Sequence, residues 1–102
     1  MIPTELKQKQ DNREEFVILD VREPNELKIS QLEGNINIPL GELQEKYLEL
    51  DKEKDIIVVC RTGWRSANAV SFLKEKGFKK VENLDGGINL WADTVDHSIE
   101  KY

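Results

Sequence analysis

The chain has a single cysteine among its 102 residues. This scarcity excludes a disulfide within the chain and a cysteine-rich zinc site. It also has a single histidine, His97, in a polar stretch near the C-terminus, where an isolated imidazole reads as an exposed surface residue. Nothing in the sequence brings His97 to the cysteine, so whatever activates the thiol must be something other than a histidine base. No apolar run approaches the roughly 20 residues that cross a bilayer. The segment Met1 to Asp11 is too polar and charged for a secretory leader, and the cytoplasm is the expected location. Positive charge is in deficit as well: 15 Lys and Arg against 20 Asp and Glu leave a net charge of −5. That balance argues against nucleic acid or a membrane surface as a general partner, while leaving room for a local basic site. No internal repeat, low-complexity tract or linker occurs.

With 38% hydrophobic and 34% charged residues, the chain has the profile of a soluble globular protein. Its length suits one domain over residues 1–102 with one modest core. The ends, residues 1–12 and 95–102, are the most polar segments and are expected to be the least ordered. Thr4 fits the N-cap of a short helix running through Gln10. Phe16 to Leu19 is a short apolar run and reads as a buried strand. Pro24 opens a short helix to about Lys28. Ile36 to Ile38 reads as a second strand, and Leu40, Leu43, Tyr47 and Leu50 form a helical stripe. The clearest strand is Ile56-Ile-Val-Val59: four β-branched residues in a row, expected at the sheet centre with both faces covered. A helix follows from Ser66 to Lys76, capped by Gly77. Val81 to Leu84 then reads as a strand, and Ile88 to Ala92 as a last helix. Strands alternating with helices predict an α/β domain with a mainly parallel sheet.

Cys60 stands directly after the central strand, in Cys60-Arg-Thr-Gly-Trp-Arg-Ser66. In open α/β sheets ligands bind beyond the carboxyl ends of the strands. The loop also leads into a helix N-terminus, where unpaired N–H groups and the positive dipole end favour an anion. Gly63 allows a positive φ, so that successive amides can converge as an anion nest, and Arg61 and Arg65 add positive charge. All of these favour thiolate over thiol. The same cradle suits a small sulfur-containing anion or a phosphate ester as the target of attack. A buried structural thiol is the plainer alternative. Arg61 and Arg65 could equally sit in surface ion pairs, Ser66 could be only a helix N-cap, and Trp64 could pack on the domain rather than border a site. Asp20 and Arg22 read as an ion pair supporting the active-site face, Glu23 and Glu26 as solvated, and Trp91 as core. Asp85-Gly-Gly87 reads as a turn that lets the chain pass near the Cys60 loop.

At these residues the chain resembles the rhodanese-like domains, from about Phe16 to Tyr102. Val17-Ile-Leu-Asp-Val-Arg-Glu-Pro24 is similar to that family's first strand and Asp-Val-Arg signature. Glu33 to Leu40 is similar to its second-strand segment, with Ser30-Gln31 and Gly34-Asn35 departing from the usual residues. Leu84-Asp-Gly-Gly-Ile88 with Trp91 is similar to its closing segment. Residues 26–35 and the ending from Trp91 look most like the rhodanese domains attached to enzymes that adenylate sulfur-carrier proteins. The resemblance implies a five-stranded, mostly parallel sheet with helices on both faces. It further implies a sulfurtransferase in which Cys60 takes sulfane sulfur from a donor such as thiosulfate and holds it as a persulfide. The acceptor would be a thiol or a sulfur-carrier protein. Arg61, Thr62, Gly63, Trp64, Arg65 and Ser66 would bind the anion, with Asp20 and Arg22 in support; no cofactor and no metal enters this reading. Two alternatives stand beside it. A cysteine phosphatase on the same fold has a loop one residue longer, with its arginine six positions after the cysteine; that position here is Ser66. A non-catalytic binding module is the other.

Overall fold

A computed structural model describes residues 1–102. Its elements alternate along the chain: α1 (Pro3–Asp11), β1 (Val17–Asp20), α2 (Pro24–Leu27), β2 (Ile36–Asn37), α3 (Leu43–Lys46), β3 (Ile56–Val59), α4 (Trp64–Glu75), β4 (Val81–Asn83) and α5 (Gly87–Thr94). The Leu40–Leu50 stripe is broken into three: single 3-10 turns at Leu40–Glu42 and Tyr47–Glu49 flank the one turn of α3. The sheet has four strands, not five, in the order β2-β1-β3-β4, and every pairing is parallel.

The β-branched run Ile56–Val59 is central because it pairs with β1 along its whole length on one side and, from Ile56 to Val58, with β4 on the other. Alternation along it divides the core. Ile56 and Val58 join Leu19, Leu43, Ala69, Val70 and Leu73 on the face covered by α3 and α4. Ile57 and Val59 join Leu6, Ile18, Ile88 and Trp91 on the face covered by α1 and α5. Each fully buried aliphatic side chain of this kind contributes about 1.5–3 kcal/mol, so a strand apolar on both faces is the natural centre of the sheet.

The polar ends are tied down, contrary to expectation. Leu6 of α1 is fully buried, and Met1, Val95, Ile99 and Tyr102 pack against its cluster. Helix α1 begins at Pro3 rather than after Thr4, with Ile2 in the cap position. Ile2 has no polar side chain, and its N–H donates to Glu5 Oε1 at 3.0 Å.

Strand order reverses direction at β1: the chain moves outward to β2 and returns past β1 to β3. The carboxyl ends of β1 and β3 thus lie side by side at the switch point, where open α/β sheets place their ligands. Cys60 is the first residue beyond β3, and Asp20 is the last of β1.

Candidate active site

Helix α4 starts two residues earlier than its sequence suggests. Gly63 adopts φ +104°, which a residue with a Cβ rarely takes, and the chain turns helical at Trp64 with no side-chain cap. Ser66 is therefore the third helical residue and not the N-cap. The cap is the sulfur. Gly63 N–H donates to Cys60 Sγ at 3.0 Å, and the amides of Ser66 and Thr62 also stabilise it as a charged acceptor. Of these, the Gly63 and Ser66 amides are among the orphan donors that every helix N-terminus must satisfy, and Thr62 lies just before the cap.

Cys60 is 1% exposed, as a buried structural thiol would be, but its surroundings are not those of hydrocarbon alone. Burial pushes the thiol up; the Ser66 hydroxyl and the amides of Ser66, Gly63 and Thr62 outweigh it, and the balance lies below the ordinary thiol value. Ser66 is fully buried, with its hydroxyl 3.2 Å from Sγ.

Two segments hold the loop in place. Ile88 N–H donates to the Cys60 carbonyl at 2.9 Å, and Asn89 N–H to the Arg61 carbonyl at 3.1 Å. Gly87 precedes them at φ +63°, and a Cβ there would lie 2.5 Å from the Cys60 carbonyl oxygen. The turn at Asp85-Gly-Gly87 thus passes directly beneath the Cys60 loop, as its glycines suggested. From β4, Asn83 Oδ1 lies 2.5 Å from Ser66 Oγ, and Asn83 Nδ2 donates to the Gly63 carbonyl at 3.3 Å. Asn83 is a site residue that the sequence did not single out, because an asparagine at the end of a short strand carries no local signal.

The arginines are more occupied than expected. Arg65 makes a two-pronged ion pair with Glu26 of α2, at 2.6 and 2.8 Å. That contact overturns the reading of Glu26 as solvated. The Arg65 guanidinium, with lesser help from the Tyr102 hydroxyl and the Glu23 amide, overcomes burial and holds the Glu26 carboxyl down at about 2. Arg65 still lies close enough to Cys60 for their charges to interact. Arg61 stacks on the Tyr102 ring, 4.8 Å from its centroid. Tyr102 in turn donates its hydroxyl to Glu26 Oε2 at 2.5 Å and accepts from Arg22 Nη1 at 2.9 Å.

Asp20 and Arg22 form the expected pair, and it is fully buried: 1% and 0% exposed, with Nη2 to Oδ2 at 2.8 Å. Arg22 also donates to the Ser30 carbonyl at 2.7 Å. Trp64 does not pack on the domain; it is 79% exposed. It borders an open depression of about 390 Å³ with Thr62, Ala67, Asn83 and Gly86. Trp91 is core, and His97 is exposed at the surface, its Nδ1 3.0 Å from the Ala92 carbonyl. No helix is long and apolar enough to cross a membrane.

The chain as a whole is similar to known proteins in sequence and fold. The family model for the rhodanese-like domain matches residues 2–94. The provisionally named sulfurtransferase YtwF of Bacillus subtilis is 40% identical over 86 residues, 84% of this chain and 82% of that protein. Adenylyltransferase and sulfurtransferase MOCS3 of Arabidopsis thaliana is 34% identical over 114 aligned positions, which cover 96% of this chain and 25% of that longer protein. Among solved structures, a rhodanese-related protein from Thermoplasma volcanium superposes with a TM-score of 0.85 at 36% identity, covering 93% of this chain and 91% of that one.

Proposed function

The chain belongs to the rhodanese-like domain family, and we propose that within it this protein is a sulfurtransferase working through a persulfide on Cys60. The observation that carries the reading is the capping of α4 by sulfur. A thiolate at Sγ meets the Gly63 amide at 3.0 Å and the Ser66 hydroxyl at 3.2 Å, and these donors oppose the cost of burying its charge.

The reaction is a double displacement. The Cys60 thiolate attacks the outer sulfur of a donor such as thiosulfate, the S–S bond of the donor breaks, and sulfite leaves with the electron pair. The enzyme now carries Cys60–S–S⁻. An acceptor nucleophile attacks the terminal sulfur, and the Cys60 thiolate leaves. Cyanide gives thiocyanate by this route, and a thiol gives its own persulfide. The free amides at the start of α4 would hold the terminal sulfur. Arg65, anchored by Glu26, supplies positive charge near the sulfur without swinging over it. Arg61 is exposed and stacked on Tyr102, free to meet an incoming anion. A sulfur-carrier protein is the acceptor that the sequence resemblance implies, and the exposed Trp64 and its depression offer it a surface.

Phosphatase chemistry is disfavoured by the same geometry. The position where a longer loop would place its arginine holds the buried Ser66, and Arg65 is directed to Glu26. The test is intact mass after incubation with thiosulfate. Wild type gains one sulfur atom and Cys60→Ala does not; wild type that stays unmodified, with phosphatase activity lost in Cys60→Ser, overturns the reading.

A further inference from the structure

We propose that Asn83 is a positioning residue that governs the single proton of the Ser66 hydroxyl, and so sets when Cys60 Sγ can carry negative charge. This deepens the persulfide reading above and rests on it. The argument starts from which atoms can donate. The Gly63 carbonyl has no proton to give, so the Asn83 atom 3.3 Å from it must be the amide nitrogen. That turns Asn83 Oδ1 toward Ser66. Oδ1 has no proton either, so the hydroxyl 2.5 Å away donates to it. A serine hydroxyl has one proton. Committed to Asn83, it presents only lone pairs to Sγ at 3.2 Å, and the proton in that contact must come from the sulfur. Gly63 closes the ring, its N–H on Sγ at 3.0 Å. The ring as it stands is therefore the hydrogen-bond order of an uncharged sulfur.

A thiolate at Sγ reverses one link. The Ser66 hydroxyl rotates to donate to sulfur and abandons Asn83 Oδ1. Both states occur in each turnover. Sγ is charged when it attacks the donor, and again when the S–S bond breaks and it departs with the electron pair. In the persulfide between those steps Sγ is an uncharged bridging atom with no proton of its own, and the Ser66 hydroxyl donates to Asn83 Oδ1. Ser66 thus favours the thiolate, and Asn83 opposes it by competing for the same proton. Ionised groups do not share the link. Of those around the loop, Arg65 is bound by Glu26, Arg61 lies on Tyr102, and Asp85, in the turn after β4, pairs with the N-terminal ammonium at 3.3 Å. The N-terminal ammonium also donates to the Asn83 backbone carbonyl at 2.9 Å, but no ionised group hydrogen-bonds to the side chain of Ser66 or Asn83.

The test is the thiolate fraction of Cys60 against pH, read from its ultraviolet absorbance and checked by iodoacetamide alkylation. Ser66→Ala lowers the thiolate fraction at neutral pH. Asn83→Leu raises the thiolate-to-thiol ratio roughly threefold to tenfold, the worth of one hydrogen bond no longer given up on ionisation. In the Ser66→Ala background, adding Asn83→Leu no longer raises the thiolate fraction. A residue that merely braced Gly63 would act with the opposite sign, because a loosened loop withdraws its amide from sulfur. An unchanged or reduced thiolate fraction in Asn83→Leu overturns the proposal, and if that variant does not fold, Asn83→Ala carries the same expected sign. The titration needs no sulfur donor. Wild type that takes up no sulfur therefore sinks the persulfide reading alone, whereas wrong signs in a wild type that does take it up sink this one alone.

Discussion

Replacing Gly87 by alanine tests how far the Cys60 loop depends on backbone contact beneath it. A Cβ at this position would lie 2.4 Å from the Arg61 carbonyl oxygen, and 2.5 Å from both the Arg61 carbonyl carbon and the Cys60 carbonyl oxygen. All three are main-chain atoms, so no side-chain rotation relieves the overlap. Restoring ordinary contact requires a movement of about 1 Å. The residue also sits at φ +63°, where a Cβ costs roughly 1–2 kcal/mol before any clash is counted. Together these amount to about 3 kcal/mol, which in a domain of this size lowers the melting temperature by about 12–24 °C. The displacement falls on the two peptides that flank Arg61, the nearer of them one residue past Cys60, and a 1 Å error in a reacting group can cost about a hundredfold in rate. Gly86→Ala is the control. It has a comparable positive φ of +74° and its Cβ would also clash, 2.5 Å from Leu90 Cβ, but the nearest atoms are all of Leu90 in α5 and none belongs to the Cys60 loop. Thermal unfolding and the rate of Cys60 alkylation measure the two variants. The expected outcome is that Gly87→Ala loses both stability and thiol reactivity, and Gly86→Ala loses some stability alone. A Gly87→Ala protein that melts within about 2 °C of wild type and alkylates at the wild-type rate would refute the reasoning.

Three further outcomes follow from the same geometry. Asp20→Ala strands the fully buried Arg22 guanidinium without its carboxylate and should cost about 3–5 kcal/mol, while Asp20→Ala with Arg22→Met should recover most of it; a single-variant loss under about 1 kcal/mol in thermal or denaturant unfolding contradicts this. The Glu26 carboxyl is held down at about 2, chiefly by Arg65, so its stabilisation is complete above the ordinary carboxylate value and is lost as pH falls toward 2. After screening at the partly exposed Arg65, wild type should exceed Glu26→Gln by roughly 1–2 kcal/mol at pH 7, and melting curves that fail to converge near pH 2 would count against the pair. Trp64→Ala removes a side chain that is 79% exposed and should leave stability within roughly 0.5 kcal/mol of wild type. Its turnover with cyanide should persist while KM for a sulfur-carrier protein rises, and an equal loss with both acceptors would remove Trp64 from the docking surface.

The β-branched run from Ile56 to Val59, the cysteine that ends it, the left-handed Gly63 and the helix that follows were all legible in the chain. Their causes are local: side-chain branching, two-residue alternation and the freedom of one glycine act between neighbours. The paired glycines at Gly86 and Gly87 announced a close passage by the Cys60 loop in the same way, and the Cβ of either would clash. The contacts that complete the site had no such signal. Asn83 reaches Ser66 across 17 positions, Glu26 reaches Arg65 across 39, and Tyr102 reaches Glu26 across 76. A carboxylate in a polar stretch looks solvated until folding sets a guanidinium beside it, and a polar tail looks loose until its last ring finds an arginine. The sequence by itself determined which sulfur would stand at the mouth of a helix, because that depends on residues within one turn of the chain. Only the tertiary structure decided which groups surround that sulfur and how its proton is shared, because hydrogen bonds depend on distance in space, and parallel pairing brings distant strands side by side.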